Sequence, residues 1–486
     1  MSTVVAPSRN RIAVASFIGT AIEFYDFYIY GTAAALVFGK LFFPSFSAAA
    51  GTLLSLATFG VGFIARPLGA VLFGHFGDRL GRKRMLIASL LVMGLSTVAT
   101  GLVPAFATIG VAAPILLVVL RFVQGIGLGG EWGGAVLLAT EYAPAGQRGL
   151  YSAFPQLGPS VGFVLGNALF LVLNAVMSAQ AFQAWGWRIP FLASAVLLVV
   201  GYYIRMRIAE TPVFQAALQA NAQVKVPFLE LWRRQPVMLV LATASFILAF
   251  TLFYTITTFC LSYATTVLKL SRTTMLIEAI IAAAVMGVAT LCFAVLSDRV
   301  GRRKLCILAA VASAVWAFPL FWLLQTRSPL LIGVAMVVGL VCFALLCGPM
   351  GAYLPELFRV HYRYSGASFA YNAAGIIGGG ISPLVATSLL ASTGSTAPFS
   401  WYLVGVAVLC LACLLFMHET KDHDFSDGIR NSAALTIDHA APIDDHPLSR
   451  PPWRSAVYRP GSGGGRRTVG CEREVPHHDH LEGSER

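Results

Sequence analysis

Four charged residues sit where charge is expensive. In Thr20-Ala-Ile-Glu23-Phe-Tyr-Asp26-Phe-Tyr-Ile-Tyr30 two carboxylates interrupt a long apolar run, and Arg66 and Arg121 interrupt two others. An ionisable group in hydrocarbon costs several kcal/mol, so each of the four is a functional candidate. Spacings of three and four put Gly19, Glu23, Asp26 and Tyr30 on one helical stripe. Two carboxylates close together in a low dielectric do not both ionise easily, so one of them is expected to carry a proton and to pass it on. The pattern does not choose between them, and a carboxylate permanently paired with an arginine is the structural alternative. Arginine keeps its proton in a protein, so Arg66 and Arg121 each need a carboxylate, a carbonyl cluster or an anionic ligand. For Arg66 a bound anion and a fixed pair with Glu23 or Asp26 both stand open.

The elements that must position these residues are transmembrane helices. About 20 mostly apolar residues are needed to cross roughly 30 Å of hydrocarbon. Twelve stretches qualify, at 12–38, 51–76, 85–104, 112–140, 149–178, 189–209, 236–265, 273–296, 305–326, 329–354, 364–392 and 399–417. All four charges then fall near the bilayer midplane, on three helices of one half, which implies a central polar cavity. The composition agrees: 57% of the 486 residues are hydrophobic and 12% charged, against roughly 25% charged in a soluble domain. A soluble globular protein is excluded. The net charge of +12 does not point to nucleic acid, because 25 of the 34 basic residues lie in the first 418 positions with only 10 of the 22 acidic ones. The excess belongs to the membrane part.

One segment occurs twice. Gly74-His-Phe-Gly-Asp78-Arg79-Leu-Gly81-Arg82-Lys83-Arg84 returns, with Ala294 for the opening glycine, as Ala294-Val-Leu-Ser-Asp298-Arg299-Val-Gly301-Arg302-Arg303-Lys304. The aspartates are 220 residues apart, as expected of a duplicated chain. Glycine there lets helices come close, aspartate sits where an apolar helix ends, and the arginines are expected to stay in water. Further echoes are Glu141 and Arg148 against Glu356 and Arg363, and Glu210-Thr-Pro against Glu419-Thr-Lys. With both termini inside, eighteen basic residues fall on the cytoplasmic side, Arg148 and Arg205 among them, and five on the other. That asymmetry predicts cytoplasmic termini. The domains are expected at 1–11 (N-terminal segment), 12–209 and 236–417 (six-helix bundles), 210–235 (cytoplasmic linker) and 418–486 (cytoplasmic tail). The tail is expected to be disordered and is assigned no function, and His477-His-Asp-His480 reads as part of a solvated tail. No cleavable leader is expected.

The duplicated loop resembles the one joining the second and third helices of the major facilitator superfamily. Arg121-Phe-Val-Gln124-Gly125 resembles the superfamily's fourth-helix motif, in which the arginine is associated with proton transfer and the glycines with tight packing. Gly129-Gly130-Glu131, Glu23 with Asp26, Arg66-Pro67, Gly348-Pro-Met, Pro355-Glu356-Leu-Phe358 and Arg363-Tyr-Ser-Gly366 narrow the likeness. They are similar to the metabolite:proton symporter branch, which includes shikimate, ketoglutarate, citrate and proline/betaine carriers. The likeness covers about residues 11 to 425. Gly149, Gly158-Pro159 and Gly162 partly match the antiporter motif of drug exporters, with other glycines of that motif replaced.

The resemblance implies an all-α membrane protein, twelve transmembrane helices in two pseudo-symmetric six-helix bundles. The expected activity is uptake of a small organic acid with protons by alternating access. A proline or betaine carrier is the rival, Tyr25, Tyr28, Tyr30, Tyr254 and Trp132 offering an aromatic cage, and a proton-driven exporter is a third reading. Glu23, Asp26 and Arg121 are the expected proton-coupling residues. Arg66, Tyr30, Gln124 and Asn372 are the expected substrate contacts, although Asn372 equally suits a helix–helix hydrogen bond. Gly74, Asp78, Arg79, Gly81, Arg82, Asp298, Arg299, Gly301 and Arg302 are the expected cytoplasmic gate. No catalytic site, cofactor or metal is expected; the partners are substrate, protons and lipid, the protein acting as a monomer. Cys410-x-x-Cys413 lies in an apolar helix without further ligands and reads as core packing.

Overall fold

Long apolar helices dominate the computed structural model, which describes residues 9–144, 146–207 and 227–421, all within one unit of the chain. The first eight residues, most of the expected linker (Glu210 and Lys225 included) and the tail beyond residue 421 lie outside the described residues. Among the described residues, twelve helices are long and apolar enough to cross a membrane: α1 (Ile12–Phe42), α2 (Ala57–Leu80), α3 (Arg82–Leu102), α4 (Ala112–Glu141), α5 (Arg148–Val176), α6 (Gly186–Met206), α7 (Pro236–Thr265), α8 (Thr273–Val300), α9 (Arg302–Gln325), α10 (Pro329–Glu356), α11 (Arg363–Thr393) and α12 (Ala397–Phe416). Their outward faces are apolar. On α2, Ile64, Leu68, Leu72 and Phe76 form an exposed i, i+4 stripe. Water would not favour such a stripe; hydrocarbon does.

The ends of the helices are set by local chemistry. Ser47 and Ser271 cap helices by accepting from the amides of Ala50 and Thr274. Gly81 and Gly301 join α2 to α3 and α8 to α9 at φ of 105° and 112°. Only glycine takes that conformation without strain, so the last glycine of the duplicated segment is fixed by the turn. In α5 the helix breaks at Leu157, between Pro155 and Pro159. The backbone widens into π-helical turns in α1 (Ala34–Phe38), α7 (Thr255–Cys260) and α11 (Ile376–Ile381), a feature frequent at functional sites. The Gly378-Gly379 run therefore lies in a π turn, where Gly378 meets the Ile247 carbonyl and Gly379 packs on Phe63 and Tyr254.

Helices α1–α6 form one bundle and α7–α12 the other. Within the first, α2 and α4 touch backbone to backbone, because a Cβ on Gly129 would strike the Arg66 carbonyl and one on Gly69 that of Ile126. Between the bundles, α2 packs on α11 and α5 on α8. These are equivalent pairs under the duplication.

Candidate functional site

The stripe on α1 is buried as its spacing predicts, with Glu23, Asp26 and Tyr30 each at most 1% exposed. Arg66 of α2 and Arg121 of α4 are buried beside it. The four charges do not pair. Among the described residues none of the four lies within 4.0 Å of an opposite charge, so of the two readings left open for Arg66 the fixed pair with Glu23 or Asp26 is not made. Both guanidiniums instead lie over the ring of Phe27, Arg66 at 4.4 Å and Arg121 at 4.6 Å from its centroid. Arg66 also covers Phe63, and Arg121 covers Tyr30 at 4.2 Å. Aromatic faces carry the negative end of a quadrupole and hold a cation where no carboxylate does.

Much of the hydrogen-bonding capacity is left over. Arg121 donates through Nη1 to Gln124 Oε1 (2.6 Å), and Gln124 donates to Thr97 (2.7 Å). Ser194 of α6 donates to Asp26 Oδ1 (2.5 Å), and the hydroxyls of Tyr30 and Thr58 bond at 2.8 Å. Nε and Nη2 of both Arg66 and Arg121, Glu23 Oε2 and Asp26 Oδ2 have no hydrogen-bond partner among the described residues. Buried polar atoms are costly when unmatched, and this cluster leaves both donors and acceptors able to take a further partner.

Beside the cluster lies a small aromatic cavity between the bundles, lined by Phe24, Tyr28, Gln156, Phe250, Phe253, Tyr254, Cys347 and Tyr371 among others. Tyr254 links the two, its ring 5.4 Å from Phe63 and 6.4 Å from Phe27. Of the expected cage, Tyr28 and Tyr254 line the cavity. Tyr25 is tied to the Pro190 carbonyl and Tyr30 to Thr58. Trp132 stacks on Tyr371 across the interface at 3.9 Å.

The fourth-helix glycines admit α11. Tyr364 donates to the Gly130 carbonyl (2.5 Å), Asn372 donates to that of Gly129 (3.0 Å), and Gly133 packs on Ser368. Asn372 thus makes a helix–helix bond, while its Oδ1 has no partner among the described residues. Gln156, absent from the expected site, accepts from Trp132 (2.7 Å) and donates to the Cys347 carbonyl (2.8 Å), joining α4, α5 and α10.

At the end carrying the duplicated segments, the bundles are held by two equivalent locks. Asp78 of α2 accepts from the amide and hydroxyl of Ser365 at the start of α11 (3.2 and 2.8 Å). Asp298 of α8 accepts from the amides of Gly149 and Leu150 at the start of α5 (2.8 and 3.0 Å). Helix N-termini present free N–H groups and a partial positive charge, which suits a carboxylate. Behind each lock sits a buried acid with two arginines. Glu141 takes Arg82 (2.8 Å) and, across the interface, Arg363 (3.9 Å). Glu356 takes Arg302 (3.3 Å) and, across the interface, Arg148 (3.9 Å). The expectation that the loop arginines stay in water fails at Arg82 and Arg302, each 1% exposed, because these acids lie within reach; Arg79 and Arg299 are exposed. Gly74 closes on Ser365, as a close-packing glycine should.

Arg205, counted with the loops, is also buried. Its guanidinium pairs with Glu131 of α4 through both nitrogens, and Ser89 of α3 donates to the same carboxylate (2.8 Å). Two signals were available: Glu131 sits mid-helix in an apolar run, and Arg205 falls inside the sixth span.

Comparison with known proteins agrees with this architecture. The family model for the Major Facilitator Superfamily matches residues 16–383. The chain is 47% identical to the inner membrane metabolite transport protein YhjE of Escherichia coli, covering 85% of this chain and 95% of that one. It is 39% identical to the shikimate transporter of the same organism (85% and 94% covered), and 33% identical to the proline/betaine transporter of Salmonella typhimurium (91% and 89%). Among solved structures, the proton:xylose symporter XylE bound to 6-bromo-6-deoxy-D-glucose superposes with a TM-score of 0.71 at 18% identity, covering 87% of this chain and 98% of that one, a likeness of fold. These are membrane transporters and not enzymes, and this chain belongs with them to the major facilitator superfamily.

Proposed function

We propose that the chain carries a small organic acid, of the shikimate or ketoglutarate kind, into the cell together with protons. The observation that carries this reading is the Arg66–Phe27–Arg121 sandwich, with four unmatched guanidinium nitrogens beside two carboxylates that each keep an unmatched oxygen. With one carboxylate protonated and one charged, the four groups sum to one positive charge. A single substrate carboxylate neutralises that, and a guanidinium fork suits it. Arg66 and the Arg121–Gln124 pair are the anion's partners, with Tyr30 and Asn372 Oδ1 as further polar contacts, and Arg121 belongs with the two acids to the proton-coupling set. Glu23 or Asp26 brings the proton.

The end bearing the Asp78 and Asp298 locks is assigned to the cytoplasm, from the distribution of basic residues, with both termini on that side and one chain as the working unit. The structure is then the form closed to the cytoplasm. Proton and substrate binding at the centre favour rocking of the bundles, the locks part, and the cavity opens inward, as in the two-bundle architecture of this superfamily.

A second reading has one observation in its favour. The cavity wall of Tyr28, Tyr254, Tyr371, Phe250 and Phe253 would suit the cationic head of a zwitterion such as betaine or proline. The deciding experiment is uptake into proteoliposomes under an imposed inward proton gradient, offering shikimate, ketoglutarate, citrate, proline and betaine separately, with a protonophore control. Gradient-dependent accumulation of an acid supports the first reading. Accumulation of only proline or betaine replaces it with the second, and accumulation of none refutes both and directs the test to export.

A further inference from the structure

The stripe on α1 does not end at Glu23. One turn towards the lock end it presents Gly19, and the space its missing side chain leaves is filled by the Arg205 guanidinium, which a Cβ there would strike. Arg205 reaches this position from α6 and is held on its other side by Glu131, whose carboxylate also accepts from Ser89. The order along the stripe is therefore Asp26 with Ser194, Glu23 with an unmatched oxygen, then Arg205 with Glu131. A buried acid with a free oxygen stands about 6 Å of helix rise from a cation committed to a second buried acid. The pair is not needed to fasten the bundles together, since α3, α4 and α6 belong to one bundle. A buried ion pair contributes little net stability, since desolvation offsets most of its attraction.

We propose that Arg205 is a shared counter-ion that exchanges between Glu131 and Glu23 through the gap at Gly19, and that Glu131 is the second proton carrier on the inward path. The step balances. Protonated Glu23 gives its proton, directly or through water, to the Glu131 carboxylate. Arg205 leaves Glu131 and pairs with the new Glu23 carboxylate. Two acids, one proton and one guanidinium stand on each side, with no change in net charge. Glu131, now protonated and without its cation, loses the proton towards the cytoplasm, and Arg205 returns. The other groups facing Glu23 are Arg66 from α2, Tyr254 from α7, Tyr371 from α11 and Tyr28 on α1 itself. Arg66 remains the cation on the substrate side, so the exchange alters the lock side alone. This inference rests on the proton-coupled reading above.

The test measures three quantities in the same proteoliposomes: substrate-induced proton influx with an internal pH dye, gradient-driven accumulation, and substrate exchange at equal pH. If the native protein exchanges substrate without moving protons, the proton-coupled reading fails and this one with it. If the native protein is coupled, Glu131→Gln with Arg205→Gln in one chain, which removes both charges and leaves no unpaired one, tests the relay by itself. The expected result is a fall of at least tenfold in the ratio of accumulation to exchange, with proton influx lost in proportion. A merely structural pair would lower accumulation and exchange together, leaving the ratio within twofold of native, and that outcome overturns the proposal. Should the double variant fail to insert, Gly19→Ala keeps both charges and fills the gap. A ratio reduced at least fivefold supports the exchange, and an unaltered ratio overturns it.

Discussion

Asp298→Asn should loosen the lock end by an amount that can be worked out from its contacts. Asp298 accepts from two amides at the start of α5, at 2.8 and 3.0 Å, and pairs with Arg302 at 2.8 Å. Hydrogen bonds to a charged group contribute about 1.5–3 kcal/mol each, against about 1 kcal/mol for neutral ones. Asparagine keeps one acceptor oxygen and loses the charge. Arg302 stays paired with Glu356, so no orphaned cation is added. The net loss is about 2 kcal/mol, or roughly 30-fold in the balance between closed and open forms at about 1.4 kcal/mol per tenfold. Cys347 reports it. The residue is 4% exposed, lines the cavity and sits against Gln156 between the bundles. With the other cysteines replaced, its alkylation by a membrane-impermeant maleimide in inside-out vesicles should speed up by 10- to 30-fold. Asp78→Asn, which weakens the equivalent lock on α11, should act in the same direction. Rates within threefold of native in both variants would refute the view that these aspartates hold the bundles shut.

Glu23→Gln and Asp26→Asn should each abolish accumulation against a gradient; full accumulation in both would remove the coupling role from the pair. Arg66→Lys and Arg121→Lys keep the charge but lose the planar fork and its stacking on Phe27. Each should raise KM for an acid substrate at least tenfold, read from initial uptake rates, and an unchanged KM in both would exclude these arginines as anion partners. Gly129→Ala places a methyl group against the Arg66 carbonyl. Overpacking of this kind costs about 1–3 kcal/mol, so the detergent-solubilised protein should melt about 5 °C lower; a native melting curve would mean that α2 and α4 separate at little cost.

The twelve spans, the duplication and the four central charges were legible because each leaves a one-dimensional trace. Hydrocarbon requires length and apolarity, duplication repeats Asp-Arg-x-Gly-Arg, and a charge inside an apolar run stands out. Contacts between helices distant in sequence leave no such trace. Nothing local in Ser365, Gly149 or Gln156 shows that they face Asp78, Asp298 and Cys347. The reading that loop arginines stay in water failed for the same reason: Arg82 and Arg302 are buried by Glu141 and Glu356, which lie 59 and 54 residues away in the chain. Arg66 shows a subtler limit. A buried cation demands a partner, and the sequence offers nearby acids, yet the partner is the face of Phe27, a residue that on apolarity alone reads as core.

Duplication explains the locks and leaves the centre unexplained. Asp78 and Asp298, Glu141 and Glu356, and Arg363 and Arg148 do equivalent work across the interface. A symmetric device of this kind can close one end of the molecule with two contacts of similar strength. At the midplane the symmetry is gone. Glu23, Asp26, Arg66 and Arg121 all come from the first bundle, while the second contributes Phe250, Phe253, Tyr254, Tyr371 and Asn372. The consequence is mechanical. If protonation and anion binding act on the first bundle, as proposed, the second registers them through the contacts between the bundles, among them Tyr254 on Phe63 and Phe27, Tyr371 on Trp132 and Asn372 on the Gly129 carbonyl. The flat Trp132–Tyr371 stack is the most extended of these, and Trp132 adjoins Glu131 in the chain. A change of charge at Glu131 would therefore reach the bundle interface through the backbone of a single residue, on the same helix turn whose glycines let α11 approach.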